Sequence, residues 1–94
     1  MAETLNEDEI ASRLRRLPWE RDGDEIVREW RFADFNEAVA FVNRVAEVAE
    51  EANHHPDILL HGWNMVKLSL TNHAAGGLTE MDFTMAERFD ALDR

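Results

Sequence analysis

The run DFNEAVAFVNRVAEVAEEANHHP, Asp34 to Pro56, decides how the rest of the chain must fold. Asp34 with Glu37 three residues later is a capping pair, an acceptor placed ahead of a helix's free amide groups with an acid in its first turn. Ala38, Phe41, Val42, Val45, Val48, Ala49 and Ala52 then recur at helical spacing and trace a wide apolar stripe over about five turns. Pro56 ends the helix, because the residue before a proline is driven to extended geometry. A helix with one broad apolar side must cover something flat, so the flanking segments should form a sheet.

They have that pattern. Before the helix, Ile26, Trp30 and Phe32 share one face of a strand while Val27, Glu29 and Arg31 share the other, and Asp22-Gly23 signals a hairpin turn from a short first arm. After it, Ile58 to Leu60 is a short apolar strand and Gly62 breaks the run. Val66, Leu68 and Leu70 then alternate with Met65, Lys67 and Ser69, the period of a half-buried strand. At the N-terminus Asn6 and Glu9 form a capping box, Leu5 and Ile10 a hydrophobic staple, and Ile10, Leu14 and Leu17 a helical face that Pro18 stops. Ala74 to Gly77 is a loop, and Thr79 with Asp82 caps a last helix whose Met85, Ala86, Phe89 and Leu92 face inward, with Leu78 and Phe83 placed to staple its start. The predicted order is α-β-β-α-β-β-α. It describes an α+β fold in which three helices pack on one face of a four-stranded antiparallel sheet, residues 1–94 forming a single domain.

Composition narrows the function. Twenty acidic residues against ten basic ones leave a formal charge of −10 in 94 residues, a field that repels phosphate backbones. The nearest basic cluster, Arg13, Arg15 and Arg16, is accounted for as one solvated helix face, so no direct nucleic-acid role is expected. With no cysteine there is no disulfide framework, thiolate metal site or cysteine nucleophile. Met1 to Glu7 is acidic where a secretory leader would be basic, and no apolar run approaches the roughly 18 residues that span a bilayer. A cytoplasmic location without membrane association is therefore expected. Nine arginines accompany a single lysine, Lys67, a ratio consistent with genomic composition or adaptation to salt. A domain this small buries only about 60–65% of its unfolded surface, which makes self-association a common remedy.

The four histidines, His54, His55, His61 and His73, fall within twenty residues. Glu50 lies one helical turn before His54, a spacing that lets its carboxylate reach that imidazole and fix its tautomer. His55-Pro56 is forced extended just past the helix, and His73 follows the Met65–Thr71 strand, where chain ends could meet. Three imidazoles at one sheet edge make either a proton-transfer site or a metal site. Structural zinc favours tidier ligand spacings, so no metal is expected. His61 beside Gly62 fits a surface turn, Asp82 is already explained by the capping position, and Trp19 and Trp63 suit either the core or the wall of a flat heteroaromatic ligand's pocket.

These residues resemble the pterin-4a-carbinolamine dehydratases, also called dimerisation cofactor proteins. Glu50, His54-His55-Pro56, Trp63, His73 and Asp82 fill the family's motif at compatible spacing. The likeness extends more loosely from Asn6 through Trp19, Phe32, Phe35-Asn36 and Gly76-Gly77-Leu78-Thr79. Trp63 stands where many members carry Tyr, Asn72 where Thr is frequent before the histidine, and Glu51 where Lys is common. The resemblance implies dehydration of 4a-hydroxytetrahydrobiopterin to quinonoid dihydropterin, in tetrahydrobiopterin recycling after an aromatic amino-acid hydroxylase. No cofactor is implied. His54 and His73 become the acid and base candidates, His55 a pterin-binding group that helps transfer, and Glu50, Asp82, Trp19 and Trp63 supporting or substrate-binding residues. A homotetramer built as a dimer of dimers is implied too, with sheets continuing across one interface. A non-catalytic interaction, assembly or coactivator module of the same fold is the alternative.

Overall fold

Among residues 3–92, which the computed structural model describes, the elements follow the predicted order: α1 (Glu7–Leu14), β1 (Glu20–Asp22), β2 (Glu25–Arg31), α2 (Phe35–Ala52), β3 (Asp57–His61), β4 (Met65–Leu70) and α3 (Glu80–Ala91). The strands form one antiparallel sheet in the order β1-β2-β4-β3. Thus α2 carries the chain from β2 to the far edge, and β4 returns to fill the gap between β2 and β3. The α+β architecture expected from the periodicities is the one observed.

The alternating strand residues sort into two faces. Ile26 and Trp30 on β2 and Val66, Leu68 and Leu70 on β4 are buried beneath the helices, with Phe41 and Val45 of α2 and Phe83, Met85 and Phe89 of α3. Phe41 is fully buried, its ring centroid 4.9 Å from that of Trp30 and 5.1 Å from that of Phe32. Across the sheet, Glu25, Val27, Glu29 and Arg31 alternate with the buried positions and remain at least partly open to solvent. All three helices therefore lie on one side.

Caps and exposed pairs fix the helix boundaries. Asn6 accepts from the Glu9 amide and the Glu9 side chain accepts from the Asn6 amide, the reciprocal box read from the sequence. Helix α1 stops three residues short of Leu17, because the Arg16 and Leu17 amides turn back in tight three-residue steps to Arg13 and Leu14 ahead of Pro18. Leu17 still packs against the core from that turn. The Leu5 amide donates to the Leu78 carbonyl at 2.9 Å, Arg13 pairs with Glu80, and Arg21 pairs with Glu7, tying α1 to the start of α3 and to β1. Hydrogen bonding from Arg21 holds the Glu7 carboxyl below its ordinary 4.5, and Arg13 does the same for Glu80. No helix among the described residues is long and apolar enough to cross a membrane.

Candidate active site

One end of the sheet gathers most of the chemistry. Asp57 pairs with Ser69 and Ile26 with Leu70, so the start of β3, the end of β4 and the β1–β2 turn share that end. His54 and His55 arrive there from α2, and His73 from the turn that follows β4.

The local backbone decides where each imidazole goes. Asn53 ends α2 in the left-handed region, with φ 51°, a conformation that asparagine tolerates better than most residues. The His54 amide bonds back to the Ala49 carbonyl at 3.1 Å, and the chain then leaves the helix. This reversal changes the expected pairing. A four-residue helical spacing would join Glu50 to His54 only if the helix continued through residue 54. Instead Glu50 Oε2 meets His55 Nε2 at 2.5 Å, both side chains being exposed, while His54 turns toward α3.

There His54 Nε2 lies 2.7 Å from Asp82 Oδ1, with the His54 side chain 13% exposed and the Asp82 side chain 0%. Asp82 sits in the first turn of α3, and its other oxygen accepts from the Thr79 amide at 2.8 Å and from the Thr79 hydroxyl at 3.2 Å. Three donors therefore face one buried carboxyl group at the N-terminus of α3, and its oxygens serve as their acceptors. The proton on Nε2 of His54 must then point at Asp82, leaving Nδ1 as the nitrogen able to exchange a proton. A proton taken up at Nδ1 would make an imidazolium held against a carboxylate, the arrangement by which an acid orients a histidine base.

His73 occupies a turn built around Asn72. The Asn72 carbonyl accepts from the Gly76 amide at 2.9 Å, and its side-chain oxygen accepts from the Ala75 amide at 2.9 Å. A cleft of about 390 Å³ opens beside this turn, lined by His73, Asn72 and Thr71 and, across it, by Asp22, Asp24 and Glu25. His54 and His55 do not line it. A second groove, of about 420 Å³, lies around Glu20, Val27 and Lys67 and contains none of the histidines. We take the first as the relevant cavity, because it adjoins groups capable of proton transfer.

The other sequence candidates lie elsewhere within one chain. Trp19 is buried edge-on against Trp30, with ring centroids 5.7 Å apart, and its indole N–H donates to Asp90 at 2.8 Å, about two helical turns beyond Asp82. Trp63 stands at the β3–β4 turn, the opposite end of the sheet from His54 and His55, and is 61% exposed. Its φ of 61° is a left-handed conformation costing about 1–2 kcal/mol for a residue with a Cβ. His61, also at that end, bonds Glu29 at 2.6 Å. No group of three or more His, Asp or Glu among the described residues is arranged to hold a metal. The Asp82–His54 contact is the feature that sequence spacing missed, since it joins residues 28 positions apart, one just past the end of α2 and the other in the first turn of α3.

The α-β-β-α-β-β-α fold and this corner of imidazoles and carboxylates define a class: small α+β domains that gather histidines and acids at one end of a four-stranded antiparallel sheet. Within that class, a family model described as pterin 4 alpha carbinolamine dehydratase matches residues 3–92, and the chain belongs to that family. A relative from Thermomicrobium roseum, which carries the provisional name pterin-4-alpha-carbinolamine dehydratase, is 54% identical over 89 residues, covering 94% of this chain and 95% of its own. The crystal structure of a transcriptional coactivator/pterin dehydratase from Brucella melitensis superposes with a TM-score of 0.89 at 33% identity, covering 96% of this chain and 98% of that one. A pterin dehydratase-like protein identified as a RuBisCO assembly factor in the alpha-carboxysome reaches a TM-score of 0.65 at 25% identity, covering 81% of this chain and 87% of that one.

Proposed function

We propose that this protein is a 4a-hydroxytetrahydrobiopterin dehydratase, acting as a single domain in cytoplasmic tetrahydrobiopterin recycling alongside an aromatic amino-acid hydroxylase. The observation that carries the reading is His54, oriented by the buried Asp82 at the sheet end that also bears His55 and His73. Losing the 4a-hydroxyl requires a proton delivered to the departing oxygen, so that it leaves as water, and a proton removed from the ring system. A ring nitrogen's electron pair forms the new double bond. His54, through Nδ1, and His73 are the acid and base, and His55, which bonds Glu50, binds the pterin and helps transfer. The purified protein should accelerate the ultraviolet change of a synthetic 4a-hydroxytetrahydropterin many-fold over the buffer reaction. A rate equal to buffer would refute the assignment.

The named roles of the two solved relatives favour one alternative, a non-catalytic assembly or coactivator module. The same assay separates the two, because an adaptor needs no turnover. We also propose a homotetramer arranged as a dimer of dimers, supported by an unpaired sheet edge at β3 whose Ile58 and Leu59 are exposed. A monomeric mass at micromolar concentration would overturn that assembly.

A further inference from the structure

The segment from Asn72 to Asp82 carries His73 near one end and, at the other, the acid that holds His54. Its first half closes on itself: the Gly76 and Gly77 amides donate to the Asn72 carbonyl, and the Asn72 amide donates to the Gly77 carbonyl at 3.2 Å. Its second half, where Gly77, Leu78 and Thr79 are buried, is clasped from outside. Thr4 forms an antiparallel bridge with Thr79, and the Leu5 amide donates to the Leu78 carbonyl at 2.9 Å. Thr79 in turn gives its amide and hydroxyl to Asp82, while Gly77 bridges back to Asn72, beside His73. The clasp is itself held, since Leu5 packs against the core and the Asn6–Glu9 capping box follows at once. Gly77 shows how close the fit is. Positive φ occurs at Gly23, Gly62 and Gly76 but not at Gly77, so its backbone would accept a side chain. A Cβ there would touch the Thr4 methyl at 3.4 Å, and the further carbons of a valine would press on it.

We infer that Thr4 and Leu5 are positioning residues: they set the Gly77–Thr79 stretch and, through it, the placement of His73 relative to the His54–Asp82 pair. The inference deepens the dehydratase reading and relies on it only for its kinetic test. A turn closed on its own amides keeps its shape but not its place, and the bridge to Thr4 and Leu5 supplies the outside reference. Two groups that move protons on one substrate need that reference. Their geometry must hold to within about 0.5 Å, and a displacement of about 1 Å can cost about 10²-fold in rate.

Gly77→Val should part the N-terminal segment from the loop. Its kcat for carbinolamine dehydration should fall about 10- to 100-fold with KM little changed. Adding Thr4→Ala to Gly77→Val should return kcat to the level of Thr4→Ala alone, because the deleted methyl gives the valine its room. Leu5→Pro deletes the donor to Leu78 and leaves residue 77 untouched; it should lower kcat in the same sense, and it decides the matter should Gly77→Val not fold. Val45→Ala, a truncation in the buried face of α2, lowers Tm without touching the clasp and should keep wild-type kcat. NMR of histidine labelled at the ring carbons reads the placement directly. The His54 and His73 signals should shift together in Gly77→Val and return in the double variant, while His61, at the other end of the sheet, stays fixed as the reference. Wild-type kcat in folded Gly77→Val, unmoved His54 and His73 signals, or a loss that Thr4→Ala does not reverse would each overturn the inference. An inactive wild type would refute the dehydratase reading and leave the ring signals to decide the positioning.

Discussion

Replacing His54 by alanine is expected to lower kcat for carbinolamine dehydration by about 10²–10⁴-fold, the range typical of a positioned general acid or base. His73→Ala should fall in the same range. The two rings reach that result differently. His54 is largely buried and has its Nε2 committed to Asp82, so truncation removes a pre-oriented proton carrier. His73 is exposed and stands on a turn lining the cleft, so its truncation removes a group that meets substrate at an open wall. His55→Ala should act mainly on KM, because its ring and Glu50 are both solvent-exposed and an exposed pair of this kind contributes little orientation. Stopped-flow ultraviolet assays on a synthetic 4a-hydroxytetrahydropterin would separate kcat from KM for each variant. Wild-type kcat in both His54→Ala and His73→Ala would eliminate histidine acid–base catalysis at this corner.

Much of this was legible in the chain because the signals were local. The caps at Asn6, Asp34 and Thr79 and the period-two alternation of Met65 to Leu70 depend on residues within a few positions of one another, and the fold reproduces them. The insertion of β4 between β2 and β3 was less accessible, since it depends on where α2 sets down the chain. At the candidate site, local rules misled in one instance. The Glu50–His54 spacing assumed a continuous helix, and the left-handed Asn53 ended it one residue too soon. The capping role of Asp82 was readable from Thr79, yet only the packing of α3 against the end of α2 brings its second oxygen to His54. The distance between Trp63 and the histidines was likewise hidden, because a motif records order along the chain and not which end of a sheet each residue occupies.

Asp82→Ala is expected to destabilise the fold by about 3 kcal/mol, a Tm decrease of roughly 12–24 °C for a domain of this size. The carboxylate is fully buried, and its removal strands the Thr79 amide, the Thr79 hydroxyl and His54 Nε2 without their acceptor while deleting an N-terminal cap. Such a loss alone would not distinguish a helix cap from a positioning residue, and Asp82→Asn makes the distinction. The amide preserves shape and can still accept from Thr79, so thermal unfolding followed by circular dichroism should show a loss of only about 1 kcal/mol. Its NH₂ group, turned toward His54, cannot accept the Nε2 proton, and the ring is pushed to the other tautomer, with the proton on Nδ1. Asp82→Asn should therefore lower kcat about 10²-fold or more with KM little changed, a kinetic loss out of proportion to its stability loss. Should Asp82→Asn retain wild-type kcat, Asp82 would be a cap and nothing more, and His54 would draw its orientation from the Asn53 turn alone.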